Sequence, residues 1–187
     1  MKKISEKIVF DGKWVAVDEM VYENKSGVRI VWETIRRKRS TVGVIVVARC
    51  VPSGKFILIK QFRPAVGGYV LGLPAGLAHN DPEQALTELK EETGYAGKIV
   101  GVSPVLKTGS SLVNDSGRIV CIEVDENHPH NLNPEPQLEA AEDIEVILVA
   151  ADKITEYLRV EAEKGTHISA NMWYMFMCHE FIGLRAQ

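Results

Sequence analysis

The segment 71–95, LGLPAGLAHNDPEQALTELKEETGY, constrains this chain more than any other, because both ends of a helix are written into it. Asp81 can accept a hydrogen bond at the N-cap, Pro82 suits the first helical position, Gln84 completes a capping box, and Gly94 suits the left-handed residue after the last turn. At about 100° per residue, Glu88, Glu91 and Glu92 share one third of the helix circumference, beside an apolar arc of Ala85, Leu86 and Leu89. A helix C-terminus carries partial negative charge, and like charges at i,i+4 repel by about 0.2–0.5 kcal/mol. No basic residue stands at i+3 or i+4 from any of the three. A solvated acidic face therefore explains the cluster poorly. A divalent cation explains it well, because Mg²⁺ is a hard ion bound by a few carboxylates together with phosphate oxygens.

The flanks read as sheet. Alternating apolar and polar residues predict strands over 14–22 and 28–35, joined by the turn ENKSG into an N-terminal hairpin. The runs VGVIVVARC and FILIKQF, split by a PSGK turn, are β-branched and typical of a buried sheet, and GGYVLGLPAG adds a short strand that leads into the helix. Further strands are expected over 98–106 and 118–124 and through DIEVILVAA, with closing helices over 152–164 and 169–184. In the last helix Met172, Trp173, Phe176, Met177 and Phe181 recur at helical spacing, for which core packing is the default. The proline-containing loop 125–139 is expected to be mobile.

At 187 residues, 45% hydrophobic and 25% charged, the chain is globular and long enough to bury a proper core. A net charge of −3 leaves no electrostatic footprint for nucleic acid or an anionic membrane. The apolar runs are strand-sized, and no h-region follows the basic start, so neither a membrane span nor export is expected. Cys50, Cys121 and Cys178 are odd in number and lack CxxC spacing, which fits a reducing cytoplasm.

The stretch AGLAHNDPEQALTELKEETGY resembles a Nudix box, and KQFRPAVGGYVLGLPAGL resembles the ADP-ribose pyrophosphatase branch of the Nudix hydrolases. The likeness extends from FDGKWVAVDEMVYENKSG through WETIRR to EDIEVILVAADKI. It implies an α/β/α sandwich with a mixed sheet, an N-terminal hairpin segment (1–40) used in dimerisation and a hydrolase domain (41–187). The family's box is three residues longer. It has Arg where this chain has Thr87, Glu where Gly72 precedes the Pro-Ala-Gly segment, and a further Glu where Pro82 or His79 stands, depending on the end from which the count is made.

Carried over residue by residue, the resemblance makes Glu88 and Glu92 the principal metal ligands, with Glu91 a further one and the Ala75 carbonyl a backbone ligand. Mg²⁺ is the expected cofactor, with Mn²⁺ as an alternative. Arg63 in QFRP matches a phosphate or ribose contact. Trp14 and Trp32 match tryptophans that sandwich the base across a homodimer, although a hairpin tryptophan is equally often core or dimer filler. Glu33 and Arg37 match neighbours at the base end. Leu112 fits the loop after the fourth core strand, where Ser110 and Ser111 replace the family's Pro-Gly.

A general base separate from the metal ligands keeps its basicity for the proton, and Glu139, Glu142 and Glu145 are the candidates. The resemblance selects Glu142, because EDIEV matches the family's catalytic loop. The implied reaction is metal-dependent hydrolysis of a nucleoside diphosphate sugar, ADP-ribose first, giving AMP and ribose 5-phosphate. A hydrolase of GDP-mannose or UDP-glucose type and a nucleotide-diphosphate sensor without turnover are the alternatives. A small-molecule nucleotide sugar and a second copy of the chain are the expected partners.

Overall fold

The computed structural model describes residues 1–39, 42–78 and 80–178. Strands β1 (Lys2–Asp11), β2 (Val15–Glu23) and β3 (Arg29–Arg37) form an antiparallel sheet in that order. The predicted hairpin is β2–β3, turned by Asn24, whose Oδ1 accepts from the amides of Ser26 and Val28 (2.9 Å each), and by Gly27 at φ +80°. β1 is an unpredicted third strand. All ten of its residues are exposed, and register shifts between Lys3/Ser5 and Ile8/Phe10 break the period-two signal by which a strand is recognised. Asp18, 1% exposed, is held by Arg36 Nε at 2.6 Å.

The second sheet contains β4 (Val42–Val51), β5 (Phe56–Arg63), β6 (Gly68–Gly72), β7 (Ala75–Leu77), β8 (Lys98–Val102), β9 (Leu106–Lys107), β10 (Ser116–Asp125), β11 (Ile144–Val149) and β12 (His167–Ile168). It is mixed: β10 runs parallel to β4 and β12 to β6, whereas the other pairs are antiparallel. β4 and β5 pair only at Ala48–Ile57 and Arg49–Phe56 and then diverge. β6 continues along β5, β7 along β4, and Leu73-Pro74 carries the chain between them, with the Val46 amide donating to the Pro74 carbonyl at 2.8 Å. This parting of strands opens the cleft in which the candidate site lies.

Helix α1 (Gln84–Thr93) covers one face, packing Ala85 and Leu89 on Val44, Val46, Ala48, Val120 and Ile122. Helices α2 (Ile154–Glu163) and α3 (Ala170–Phe176) cover the other, with Leu158, Met172 and Phe176 against Leu58 and Leu71. The architecture is the expected α/β/α sandwich. α3 is described over Ala170–Phe176, with the Met177 amide donating to the Trp173 carbonyl at 2.9 Å; the expected continuation through Phe181 to residue 184 lies outside the described residues, as does His79.

The start of α1 also differs from expectation. Asp81 Oδ1 accepts from the Glu83 amide (3.0 Å), but the Asp81 amide donates to the Ala78 carbonyl (2.6 Å), so no capping box forms and regular helix begins at Gln84. Gly94 closes it as expected, at φ +77° with its amide on the Lys90 carbonyl; a Cβ there would also lie 2.4 Å from the Glu135 nitrogen. The loop expected to be mobile is fastened by buried Asn131, whose amide bonds the Ala96 nitrogen (2.8 Å) and the carbonyls of Ala96 (2.9 Å) and Asp125 (2.8 Å).

Candidate active site

The three helix carboxylates meet different surroundings because successive helical residues point about 100° apart. Glu92 is 2% exposed and faces β7, its Oε2 accepting from the Ala75 amide at 3.0 Å. Glu88 is half-buried against Gly76, where an added Cβ would lie 1.9 Å from the Glu88 carboxyl carbon. Glu91 is exposed. A bare Cα at Gly76 is therefore what lets the Glu88 carboxylate lie over the strand.

Burial pushes the Glu92 carboxyl up to about 8; the Ala75 amide opposes the shift, the charges of Glu88 and Glu142 add to it, and Arg63 opposes it. Glu88 is also raised, chiefly by burial, against a hydrogen bond from Gln84 and with the charges of Glu91, Glu142 and Glu139 adding to the shift. Two carboxylates that are raised by burial and by neighbouring acidic charge are an electrostatic cost, in line with the crowding of acidic residues in the sequence. Among the described residues, no group of three or more His, Cys, Asp or Glu side chains stands ready-made to hold a metal ion. The donors nevertheless fit a hard divalent cation in kind: they are oxygens, they repel one another, and Gly76 leaves room for one of them.

Glu142 reaches the same place from the loop before β11. Its Oε2 accepts from the Glu139 amide at 2.9 Å, and its own amide donates to the Glu139 carbonyl at 2.9 Å. The neighbouring Asp143 ties this turn to the sheet, with its carbonyl accepting from the Phe62 amide (3.1 Å) and its carboxylate from the Tyr69 hydroxyl. Glu139 is exposed, and so is Glu145 within β11.

A groove of about 340 Å³ runs beside this acidic centre, joining Arg37 and Asp115 at one end to Arg63, Ala75 and Gly76 at the other. Arg37 Nε pairs with Asp115 at 3.1 Å, a contact across 78 residues that no local pattern announces. Leu112 is exposed, and its loop docks on β3: the Ile35 amide donates to the Leu112 carbonyl (2.9 Å) and the Asn114 amide to the Ile35 carbonyl (3.2 Å). Glu33 is exposed on β3 opposite Glu19.

The tryptophans are not brought together within one chain. The Trp14 carbonyl accepts from the Lys38 amide, whereas Trp32 pairs with Met20. Positions 14 and 20 are six residues apart, about 20 Å of strand. Both rings are exposed, at 66% and 45%; Lys13 Nζ lies 4.9 Å from the Trp14 ring centroid, and Tyr22 meets Trp32 edge-on at 5.9 Å. Gln61, two residues before Arg63 on the same strand face, was not singled out from the sequence, although its place in QFRP beside Arg63 was a usable signal.

Acidic oxygens beside an open groove that is lined by arginines are the equipment of an enzyme that acts on phosphate groups. The chain is 33% identical over 180 residues to the ADP-sugar pyrophosphatase of Mus musculus, spanning 90% of this chain and 83% of the relative. It is 35% identical over 173 residues to the ADP-ribose pyrophosphatase of Saccharomyces cerevisiae (87% and 75%) and 34% over 165 residues to a Caenorhabditis elegans protein named as a nudix hydrolase (82% and 74%). A crystal structure of an ADP compounds hydrolase shares the fold at TM-score 0.67 and 20% identity, over 99% of this chain and 98% of that one. No protein-family profile matches. The chain belongs to the Nudix hydrolases, and it is an enzyme.

Gly76→Ala tests the seat of Glu88. The added methyl displaces only the end of a flexible side chain, so the fold should survive, with Tm changed by no more than about 2–4 °C. Divalent-metal affinity and turnover should fall about 10–100-fold, as when the support of a metal ligand is lost. Unchanged activity in calorimetry and turnover assays would separate the Glu88 position from the chemistry.

Proposed function

We propose that this enzyme hydrolyses the diphosphate of ADP-ribose and related ADP-sugars, releasing AMP and, from ADP-ribose, ribose 5-phosphate. The observation that carries the reading is the buried Glu92 on the Ala75 amide beside Glu88 and Gly76, at the edge of a groove that also contains Arg63. The names of the mouse and yeast relatives support the substrate class.

Glu88, Glu92 and the Ala75 carbonyl would hold a divalent cation, Mg²⁺ with Mn²⁺ as a substitute, and Glu91 would contribute directly or through water. When bound, the cation neutralises charge on the diphosphate oxygens and makes water a better nucleophile. Arg63 binds and orients the diphosphate. Glu142 takes the proton of the attacking water as the new phosphorus–oxygen bond forms and the bridging bond breaks. Arg37 and Glu33 lie toward the nucleoside end, and the loop that carries Leu112 meets the terminal ribose.

Two chains associate through the segment 1–40, whose exposed Ile8, Phe10, Val31 and Trp32 give it an apolar surface. Trp14 of one subunit and Trp32 of the other then enclose the base, in keeping with their separation along one sheet. Among the described residues no helix is long and apolar enough to cross a membrane, and the cysteines are free, in keeping with a cytoplasmic setting.

Release of nucleoside monophosphate from a panel of ADP-ribose, GDP-mannose and UDP-glucose, with Mg²⁺ or Mn²⁺, tests the reading. Preference for ADP-ribose is expected, and preference for a GDP or UDP sugar would replace it. Base–aromatic stacking is worth about 1–3 kcal/mol, so Trp32→Ala should weaken nucleotide binding by about tenfold or more in calorimetry. Unchanged affinity in a variant that remains dimeric would return Trp32 to a packing role.

A further inference from the structure

Three successive cations, Arg36, Arg37 and Lys38, stand where β3 ends, and β9 supplies a fourth, Lys107. Together they line a cavity of about 360 Å³ whose one carboxylate among the described residues is Asp115. The cavity adjoins the groove of the candidate site through Arg37, Asp115 and Ser116, on the side away from Arg63. Like charges repel, so four cations around one space need compensation. Asp18 answers Arg36 at 2.6 Å, Asp115 answers Arg37 at 3.1 Å, and Asp11 answers Lys38 at 2.6 Å. Lys107 has a hydroxyl instead: its Nζ donates to Oγ of Ser116, its partner across the β9–β10 ladder, at 2.7 Å, and among the described residues no carboxylate pairs with it. Both arginines bond their carboxylates through Nε, so among the described residues the terminal nitrogens of each guanidinium are left for another acceptor. The Arg37 and Lys38 pairs are exposed, and exposed pairs contribute little, so a stronger anion can draw these cations to itself.

We propose that this cavity binds a phosphate monoester, with the Lys107 ammonium and the guanidinium groups of Arg36 and Arg37 donating to its oxygens. Several charged donors around one polar space suit a compact oxyanion with three free oxygens, and arginine forks match phosphate geometry. The site goes beyond the nucleotide-sugar reading and stands apart from the diphosphate position at Arg63. Two sources carry the same chemistry. One is an additional phosphate on the nucleoside's own ribose: the cavity meets the groove at Arg37, and the Lys38 amide donates to the Trp14 carbonyl at 3.0 Å. The other is inorganic phosphate, or a small phosphorylated molecule, bound beside the substrate.

Titration of the full chain with inorganic phosphate, followed by phosphorus NMR in chloride of matched ionic strength, tests the site. Lys107 is exposed, so Lys107→Gln should fold. It is expected to weaken phosphate at this site about tenfold or more, whereas Arg63→Gln should leave that binding in place. A wild type that binds no phosphate, binding that Lys107→Gln does not change, or binding that Arg63→Gln abolishes overturns the proposal and leaves a solvated cationic surface. Turnover of ADP-ribose and of its 2′-phosphate, each with and without added inorganic phosphate, separates the sources. A KM lower for the 2′-phosphate in the wild type, and no lower in Lys107→Gln, assigns the bound group to the substrate. Equal KM values, with inorganic phosphate shifting ADP-ribose turnover in the wild type and not in Lys107→Gln, assign it to a separate molecule. A wild type that hydrolyses neither compound, yet binds phosphate in a Lys107-dependent way, overturns the functional reading and supports the site.

Discussion

Glu142→Gln is expected to lower kcat by about 10²–10⁴-fold while leaving metal and substrate binding near wild type. The substitution keeps an oxygen that can accept from the Glu139 amide, so the turn from Glu139 to Asp143 should hold its shape. What it removes is a negative group close enough to raise both Glu88 and Glu92. A carboxylate whose charge reaches Glu88 and Glu92 without belonging to the helix suits the proposed role of taking a proton from water attacking nearby. The anchoring of Asp143 to Phe62 and Tyr69 means that this carboxylate does not depend on a freely moving loop. Single-turnover kinetics distinguishes chemistry from binding. A variant that turns over at nearly the wild-type rate would remove Glu142 from the mechanism and reopen Glu139 and Glu145.

Glu92→Gln should abolish metal-dependent turnover and, in the metal-free protein, raise stability. Its folded carboxyl sits near 8 against an ordinary 4.5, so the folded state holds a proton that the unfolded state releases. That contribution is fully present below the unfolded value of 4.5 and is lost as pH rises through about 8. At about 1.4 kcal/mol per unit, the loss is on the order of a few kcal/mol. The metal-free wild type should therefore weaken across this window, whereas the Gln variant, which keeps an oxygen for the Ala75 amide, should not. Paired melting curves at pH 5 and pH 9 check this, and added Mg²⁺ should raise the Tm of the wild type only. A Gln variant that melts well below the wild type at pH 9 would make Glu92 a structural partner and not a metal ligand.

Both results bear on how a box that departs from the family pattern works. Thr87 is exposed where the family has Arg, so α1 offers no ion-pair partner there to orient Glu88. The Gln84 side chain bonds Glu88 instead. Gly72, where the family has Glu, leaves the opening next to Gln61.

The sequence by itself determined the carboxylate helix, the two buried strands before it, and the hairpin of β2 and β3. Each depends on short-range rules: the left-handed glycine at 94, the β-branched runs on either side of the PSGK turn, and the Asn24–Gly27 turn. Through family resemblance it also supplied the list of candidate site residues. Only the tertiary structure decided how three neighbouring glutamates divide into a buried, a half-buried and an exposed group, because that depends on β7 lying against α1. It also decided that β1 joins the hairpin as a third strand, since its exposed, bulged residues carry no hydrophobic pattern and its pairing is made through the backbone. The Arg37–Asp115 pair, the approach of Glu142 to Glu88 and Glu92, and the cavity lined by both Lys38 and Lys107 all join parts of the chain far apart in sequence. Such contacts follow from which strands pair and where β4 and β5 separate, and helical or strand periodicity contains no record of either.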